Sequence, residues 1–408
     1  MADERTAFSK LHRRRFLALM GLGGSAALLG ACQPAPAAQP APAAPSGGAA
    51  AKPAAAPPTA AASATEGDKA WQDLIAAARQ EGKLVLVGPP NPDLRANLPL
   101  RFKERFGIEM EYLSLPPNQT EVINRLVSEK DAGIGTVDVL IGGAQSMFTV
   151  AYPAQIMAPV RPALVAPEAL DTSKWTVGKV WFKDPEDTYF MQMTNFVVGQ
   201  LAVNADFVKP AELTNWQDLL DPKFTGKISA WDPTLPGTGW NTANWLRTTF
   251  GDDYLKRLYV DQKAGVPADA RQWADWLARG NYPIAVGPGS RDIEALKQDG
   301  FHLEVIPPFA EAPGIVTGGY GLVMMLRNAP SPNAAKVFAN WIVMREGQEA
   351  WGRLDQVPSI RTDLDNSWAP SYTIPKPGVN YFDSYDWNYV NTAFGESIPK
   401  IRQMMALR

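Results

Sequence analysis

Residues 216–241 read WQDLLDPKFTGKISAWDPTLPGTGWN. Leu219 and Leu220 close a short helix. Asp221-Pro222 then forces a turn, because a residue before proline avoids the α region. Gly226 ends that turn, and Ile228 to Trp231 reads as a short buried strand. Asp232-Pro233 stops the strand, Pro236-Gly237-Thr238-Gly239 forms a loop, and a helical pattern starts at Trp240. A strand running through a glycine loop into a helix N-terminus leaves backbone N–H groups aimed beyond the strand's end. Such a site can bind a ligand, but no residue in it has the character of a nucleophile or a base.

The same alternation runs outward in both directions. Trp71, Leu74, Ile75 and Ala78 recur at helical spacing before Gly82. Lys83 to Val87 is a buried strand ending in Gly88-Pro89-Pro90-Asn91. Leu94, Leu98, Phe102 and Phe106 mark a helix, and Ile108 to Tyr112 alternates as a strand. Val122, Leu126 and Val127 mark another helix. Val137 to Ile141 is a third strand, ending in Gly142-Gly143-Ala144-Gln145-Ser146. Strand, helix, strand, helix, strand defines an α/β fold with a parallel sheet. In such sheets ligands bind outside the carboxyl ends of the strands. That rule selects Pro90, Asn91, Gly143, Gln145 and Ser146 here. In the second half it selects Thr234, Thr238, Gly239, Trp240, Ser290, Arg291 and, on the returning loop, Tyr320. Ser290 is expected to cap the helix carrying Ile293, Leu296 and Lys297.

Helix N-termini behind Gly143, Gly239 and Gly289 would aim partial positive charge into a cleft, and Arg291 would add a full one. This favours an anionic or oxygen-rich ligand. Asp93, Asp232 and Asp292 leave open an amine-bearing one, with Trp231 and Trp240 available for stacking. A solvated Arg291 paired locally with Asp292 or Glu294 is the structural alternative.

Composition removes several function classes. Lys and Arg total 39 against 42 Asp and Glu, a mildly acidic balance that argues against a nucleic-acid partner. Cys32 is the only cysteine, so no internal disulfide, thiolate cluster or CxxC pair forms. Of two histidines, His12 lies in a leader and His302 in an alternating strand pattern. Residues 224–228 lack the earlier glycine and the following Ser/Thr of a phosphate-binding loop. No metal site and no cofactor is expected.

The N-terminus reads as an export signal. Basic residues precede an apolar run over 16–31, too short for the roughly 20 residues of a membrane-spanning helix. Arg13 and Arg14 with Phe16-Leu17 resemble a twin-arginine signal. Leu29-Gly30-Ala31-Cys32 resembles a lipobox, which would make Cys32 a lipidated first residue anchoring the protein to the membrane. Residues 33–66 are almost all Ala and Pro with some Ser and Gly, a composition that cannot bury a core and reads as a disordered tether.

The stretch at 216–233 resembles the middle of the type II extracellular solute-binding proteins of ABC importers, in the branch with ferric-ion, thiamine and polyamine binders. Residues 196–207 (FVVGQLAVNADF) and 346–361 (from Glu-Gly-Gln-Glu-Ala-Trp to Val-Pro-Ser-Ile-Arg) are similar to the same family's inter-lobe strand and late helix. The resemblance implies a two-lobed type II periplasmic-binding-protein fold, with mostly parallel sheets, flanking helices and a hinge. It divides the chain into a signal (1–32), a tether (33–66), lobe one (67–190 plus 312–360), lobe two (191–311) and a C-terminal segment packed on the lobes (361–408). It implies a monomer that captures a small solute for an importer permease and carries out no chemistry. The family's ferric binders carry adjacent tyrosines where this chain has Pro288-Gly289-Ser290-Arg291, and Tyr282 and Tyr320 do not form a pair, which speaks against an iron site. An exported hydrolase or lyase using Asp232 and Asp292, and a ligand sensor of the same fold, are the alternatives.

Overall fold

A computed structural model describes residues 66–407 apart from 117 and 236. The signal with Arg13 and Arg14, Cys32, and the tether up to residue 65 lie outside the described residues. In chain order the strands are β1 (Lys83–Gly88), β2 (Glu109–Ser114), β3 (Val139–Gly142), β4 (Met157–Ala158), β5 (Met191–Gln192), β6 (Phe196–Val198), β7 (Leu201–Asn204), β8 (Ile228–Ala230), β9 (Ile284–Val286), β10 (Leu303–Val305), β11 (Ile315–Thr317), β12 (Leu322–Leu326) and β13 (Phe382–Asp383).

Three sheets result. The first has order β2-β1-β3-β12-β4, with β5 also paired to β12. Strands β1, β2 and β3 run parallel, while β12 is antiparallel to β3, β4 and β5. The second sheet has order β10-β7-β9-β8, with only β8 and β9 parallel. Both sheets are therefore mixed. Parallel pairing holds where a helix crosses over between strands, and antiparallel pairing appears where the chain returns from the other sheet.

Alternation along the strands explains why each sheet is covered on both faces. Leu84, Leu86, Val139, Ile141, Val323 and Met325 enter one core with Trp71, Phe102, Phe338 and Trp341. The intervening Val87, Leu140, Leu322 and Met324 enter a second core with Phe148 and Phe190. In the other sheet, Leu201, Val203, Ile284 and Val286 face Trp216, Trp240 and Trp245, while Ala202 and Ala285 face Trp273 and Leu277. Buried strands with no polar face are what sheets covered on both sides require.

The third sheet, β13-β11-β6, lies where the chain passes between the two lobes. β6 leads into β7 through Gly199, whose φ of 84° lets the strand turn. β11 leads into β12 through Gly318-Gly319-Tyr320-Gly321. The two crossings pair antiparallel, with Ile315 opposite Val198, Val316 opposite Val197 and Thr317 opposite Phe196. The expected single strand over 196–207 is thus divided between the hinge and the second lobe.

The 216–241 stretch folds in the expected order, with adjustments. Trp216–Leu220 is a 3-10 turn, opened by a reciprocal cap between Asn215 and Asp218. A second such turn, Pro222–Phe224, is capped by Asp221. The following helix runs Thr238–Phe250, two residues earlier than its apolar pattern suggests. His302 precedes β10 on the surface, with Nδ1 2.9 Å from the Asp206 carboxylate. The aromatic-rich region 362–408 contributes β13 and the helix Phe394–Met405.

In the first lobe, Phe102 packs against Phe338 and Trp341 at ring-centroid distances of 5.8 and 5.5 Å. Phe338→Ala should destabilise this lobe by about 3–5 kcal/mol through lost burial and the cavity left behind. Guanidinium denaturation followed by tryptophan fluorescence would show it as an earlier transition.

Candidate functional site

The carboxyl ends of β1 and β3 in the first lobe and of β8 and β9 in the second carry the loops selected from the sequence. Asn91 is 4% exposed. Its side-chain oxygen accepts from the Asp93 and Leu94 N–H groups, capping the helix Pro92–Phe106. Its amide donates to the Asp355 carboxylate at 2.7 Å and to the Leu354 carbonyl. Both ends of the side chain are thus engaged inside the protein. Pro90 beside it is exposed.

At the end of β3, the Gly143 N–H donates to the side-chain oxygen of Gln119 at 2.9 Å. The next N–H, that of Ala144, donates to the Tyr385 hydroxyl. That hydroxyl in turn donates to the Gly319 carbonyl. Tyr385 is 4% exposed, and burial pushes its phenol well above the ordinary tyrosine value. Glycine is needed at 318 and 319 because side chains there would strike the rings of Tyr385 and Phe196. Gln145 and Ser146 are half-buried, and Tyr320 is 40% exposed.

In the second lobe, Thr234 turns inward on its own loop. Its N–H and hydroxyl both donate to Asp232 Oδ1, at 2.8 and 2.6 Å. Gly239 packs directly over the end of β8, where a Cβ would lie 2.2 Å from the Asp232 carbonyl oxygen. Trp240 is 2% exposed and stacks on Tyr389 at 5.5 Å, so it serves the core. Trp231 is half-buried and meets Trp273 edge-on at 4.5 Å. Thr238 is exposed at the first turn of its helix, where the Gly237 cap position supplies no side-chain bond.

The loop after β9 departs from expectation. Gly289 takes the cap position of the helix Ser290–Gln298, and Ser290 is its first helical residue without a capping bond. The Asp292 carboxylate curls back over Gly289, 2.7 Å from where a Cβ would be. Burial holds it above the usual aspartate range, and Arg291 opposes that shift. The helix end behind Gly143 is therefore already met by protein groups, and the Asp292 carboxylate lies beside the one behind Gly289.

Arg291 reaches across to the other lobe. Its Nη2 lies 3.2 Å from both the backbone carbonyl and Oδ1 of Asp355, the last residue of the helix Arg345–Asp355. A guanidinium at a helix C-terminus meets unsatisfied carbonyls and the negative end of the dipole. Neither Asp292 nor Glu294 is its partner; Glu294 is bound by Lys297 and Tyr372 instead. Burial pushes the Asp355 carboxyl above the ordinary aspartate range, and Asn91 and Arg291 pull it back only in part. Asp355, Gln119, Tyr372 and Tyr385 were not singled out from the sequence. Only the late-helix segment containing Asp355 carried any signal. Among the described residues no group of three or more His, Cys, Asp or Glu is placed to hold a metal.

Residues 100–374 match the bacterial extracellular solute-binding protein family, and the chain belongs to that family. An uncharacterised protein of Haemophilus influenzae is 29% identical over 222 residues, covering 50% of this chain and 61% of that one. The match thus spans about three fifths of the relative's length. The fold is that of periplasmic binding proteins. AfuA from Actinobacillus pleuropneumoniae, solved with exogenous fructose-6-phosphate, is similar at TM-score 0.56 and 19% identity, over 80% of this chain and 99% of its own. Iron-bound HitA from Pseudomonas aeruginosa is similar at TM-score 0.57 and 15% identity, over 79% and 99%. At these identities the likeness concerns the fold.

Folded Asp355 keeps its proton to higher pH than unfolded Asp355. The stability it contributes is fully present below the ordinary value of about 4 and is lost as pH rises through the raised value. Asp355→Asn cannot ionise. Its melting temperature relative to the parent protein should therefore climb as pH rises from about 4 towards neutrality, as measured by calorimetry at a series of pH values.

Proposed function

We propose that this protein is an extracytoplasmic solute-binding lipoprotein that closes its two lobes on a small solute and delivers it to an ABC importer. The observation that carries this reading is the Arg291–Asp355 contact. It joins a helix of one lobe to a helix of the other across the ends of their sheets. The hinge strands β6 and β11 are the covalent links between those lobes, so closure about them brings Arg291 and Asp355 together. The domain division expected from the sequence, with lobe two between the crossings and a C-terminal segment on both, is part of this proposal.

The ligand carries an oxygen-rich anionic group such as a carboxylate or phosphate. Arg291 is its counter-ion, and Asp355 holds the guanidinium in place until the ligand competes for it. The remaining site groups are the exposed Thr238 at its helix N-terminus, Ser290 and Tyr320, with Pro90, Gln145 and Ser146 on the facing rim. A hydrolase or lyase reading has less support, because Asp232 is held by the N–H and hydroxyl of Thr234. Arg13 and Arg14 belong to a twin-arginine export signal, and Cys32 carries the lipid that tethers the protein at the outer face of the membrane. The working form is a monomer.

A thermal-shift screen of the purified chain should include carboxylates, sugar phosphates, phosphonates, polyamines and ferric salts. Binding to the native state raises the melting temperature by mass action. The expected hit is an anion whose stabilisation disappears in Arg291→Ala and grows several-fold in affinity in Asp355→Asn. A hit confined to amines or ferric iron, kept in Arg291→Ala and lost in Asp355→Asn, would reverse the assignment of charge. Separately, Cys32→Ala should move the protein from the membrane fraction to the soluble fraction of cells, and retention at the membrane would refute the lipid anchor.

A further inference from the structure

The C-terminal region contacts both lobes through opposite faces of one helix. Residues 387–405 are helical throughout, with a π-helical turn at Tyr389–Ala393 leading into Phe394–Met405. Trp387 and Tyr389 lie two residues apart and so on roughly opposite faces of the helix. Trp387 packs on Phe148 and Tyr152 of the first lobe, at 4.7 and 4.8 Å. Val390, on the same face, joins that lobe's core. Tyr389 stacks on Trp240 of the second lobe at 5.5 Å, and its hydroxyl accepts from Asn244 at 3.0 Å. Further along, Ile398 and Ile401 enter the second lobe's core, and Ser397 accepts from Arg247 at 2.9 Å. Ahead of the helix, β13 pairs in parallel with the hinge strand β11, joining Phe382 to Ile315 and Asp383 to Val316.

We propose that residues 381–405 form a clamp across the hinge that limits how far the lobes open. This inference rests on the reading of the protein as a hinged solute binder. The two chain crossings form a narrow antiparallel pair and alone leave the lobes free to swing. The helix adds a third connection, in which Trp387 is an aromatic anchor on the first lobe and Tyr389 packs on the second lobe's Trp240 as well as against the first lobe's core. Opening must break the first-lobe contacts, led by Trp387, or the second-lobe contacts, led by the Tyr389–Trp240 stack. The clamp acts by setting the balance between open and closed forms and through it the rate of ligand release.

The test is the distance between spin labels on the ligand-free full chain, attached at Arg101→Cys in the first lobe and Arg257→Cys in the second, in a Cys32→Ser background. The expected result is a narrow distribution that lengthens and broadens in Trp387→Ala and equally in Tyr389→Ala. The two anchors act in series, so the double variant should open no further than either single one. Tyr389→Phe keeps the stacked ring and should match the parent protein. Unchanged distances in the folded single variants, or a double variant that opens by the combined amount, would overturn the clamp. Should an alanine variant fail to fold, Trp387→Leu and Tyr389→Leu carry the same comparison. No ligand is used, so failure to find a solute in the screen and failure of the clamp are separate outcomes.

Discussion

The short antiparallel pairing between β6 and β11 is the constraint on which the rest of the molecule depends. It joins two sheets that each bury both faces and each complete their own cores. Among the described residues neither lobe shares a strand with the other, and the sheet connecting them is the small one at the crossings. Backbone hydrogen bonds hold that sheet together while leaving a few residues on each side, Gly199 and Gly318-Gly319 among them, to take up changes in backbone angle.

Across the crossings the charges are balanced rather than one-sided. One of the three helix ends expected to attract an anion is already met by Gln119 and Tyr385, and the Asp292 carboxylate lies beside another. Arg291 meets Asp355 and the end of a facing helix. In the proposed site, selection works by exchange, since a ligand would have to offer the guanidinium a better partner than the one it has. On that proposal selectivity would depend on Asp355, and on Asn91 behind it, as much as on the residues that touch the ligand.

Local signals made most of the fold legible in the sequence. Period-two and period-3.6 patterns gave the strands and the long helices, and Asp-Pro and glycine turns marked their ends. Long-range partners were not legible. Arg291 and Asp355 are 64 residues apart, and Asn91 is 264 from Asp355, with nothing in the intervening chain to join them. Thr234 and Ser290 illustrate a second limit. Each has the residue type and loop position of a ligand contact, yet Thr234 spends its donors on Asp232, and Ser290 yields the cap position to Gly289. Trp240 was ambiguous because a tryptophan pattern at a helix start looks the same whether the ring faces a ligand or Tyr389. The region after residue 361 was opaque because its aromatic residues serve two cores in turn and so show no single period.

The order of strands within the sheets also sets the order in which the protein can be assembled. The second lobe draws its sheet from one uninterrupted stretch, 201–305. The first lobe's sheet is split, because β12 sits between β3 and β4 but is made only after the whole second lobe. Strand pairing over such a separation closes slowly, whereas the contiguous lobe has only its own loops to close. During synthesis β1, β2 and β3 come first, but the second lobe completes its sheet before the first lobe does, while β3 presents an unpaired edge until residues 322–326 arrive. The growing chain is most exposed to misassociation in that interval, which makes the strand order a matter of how the nascent protein is protected as well as of how the finished one works.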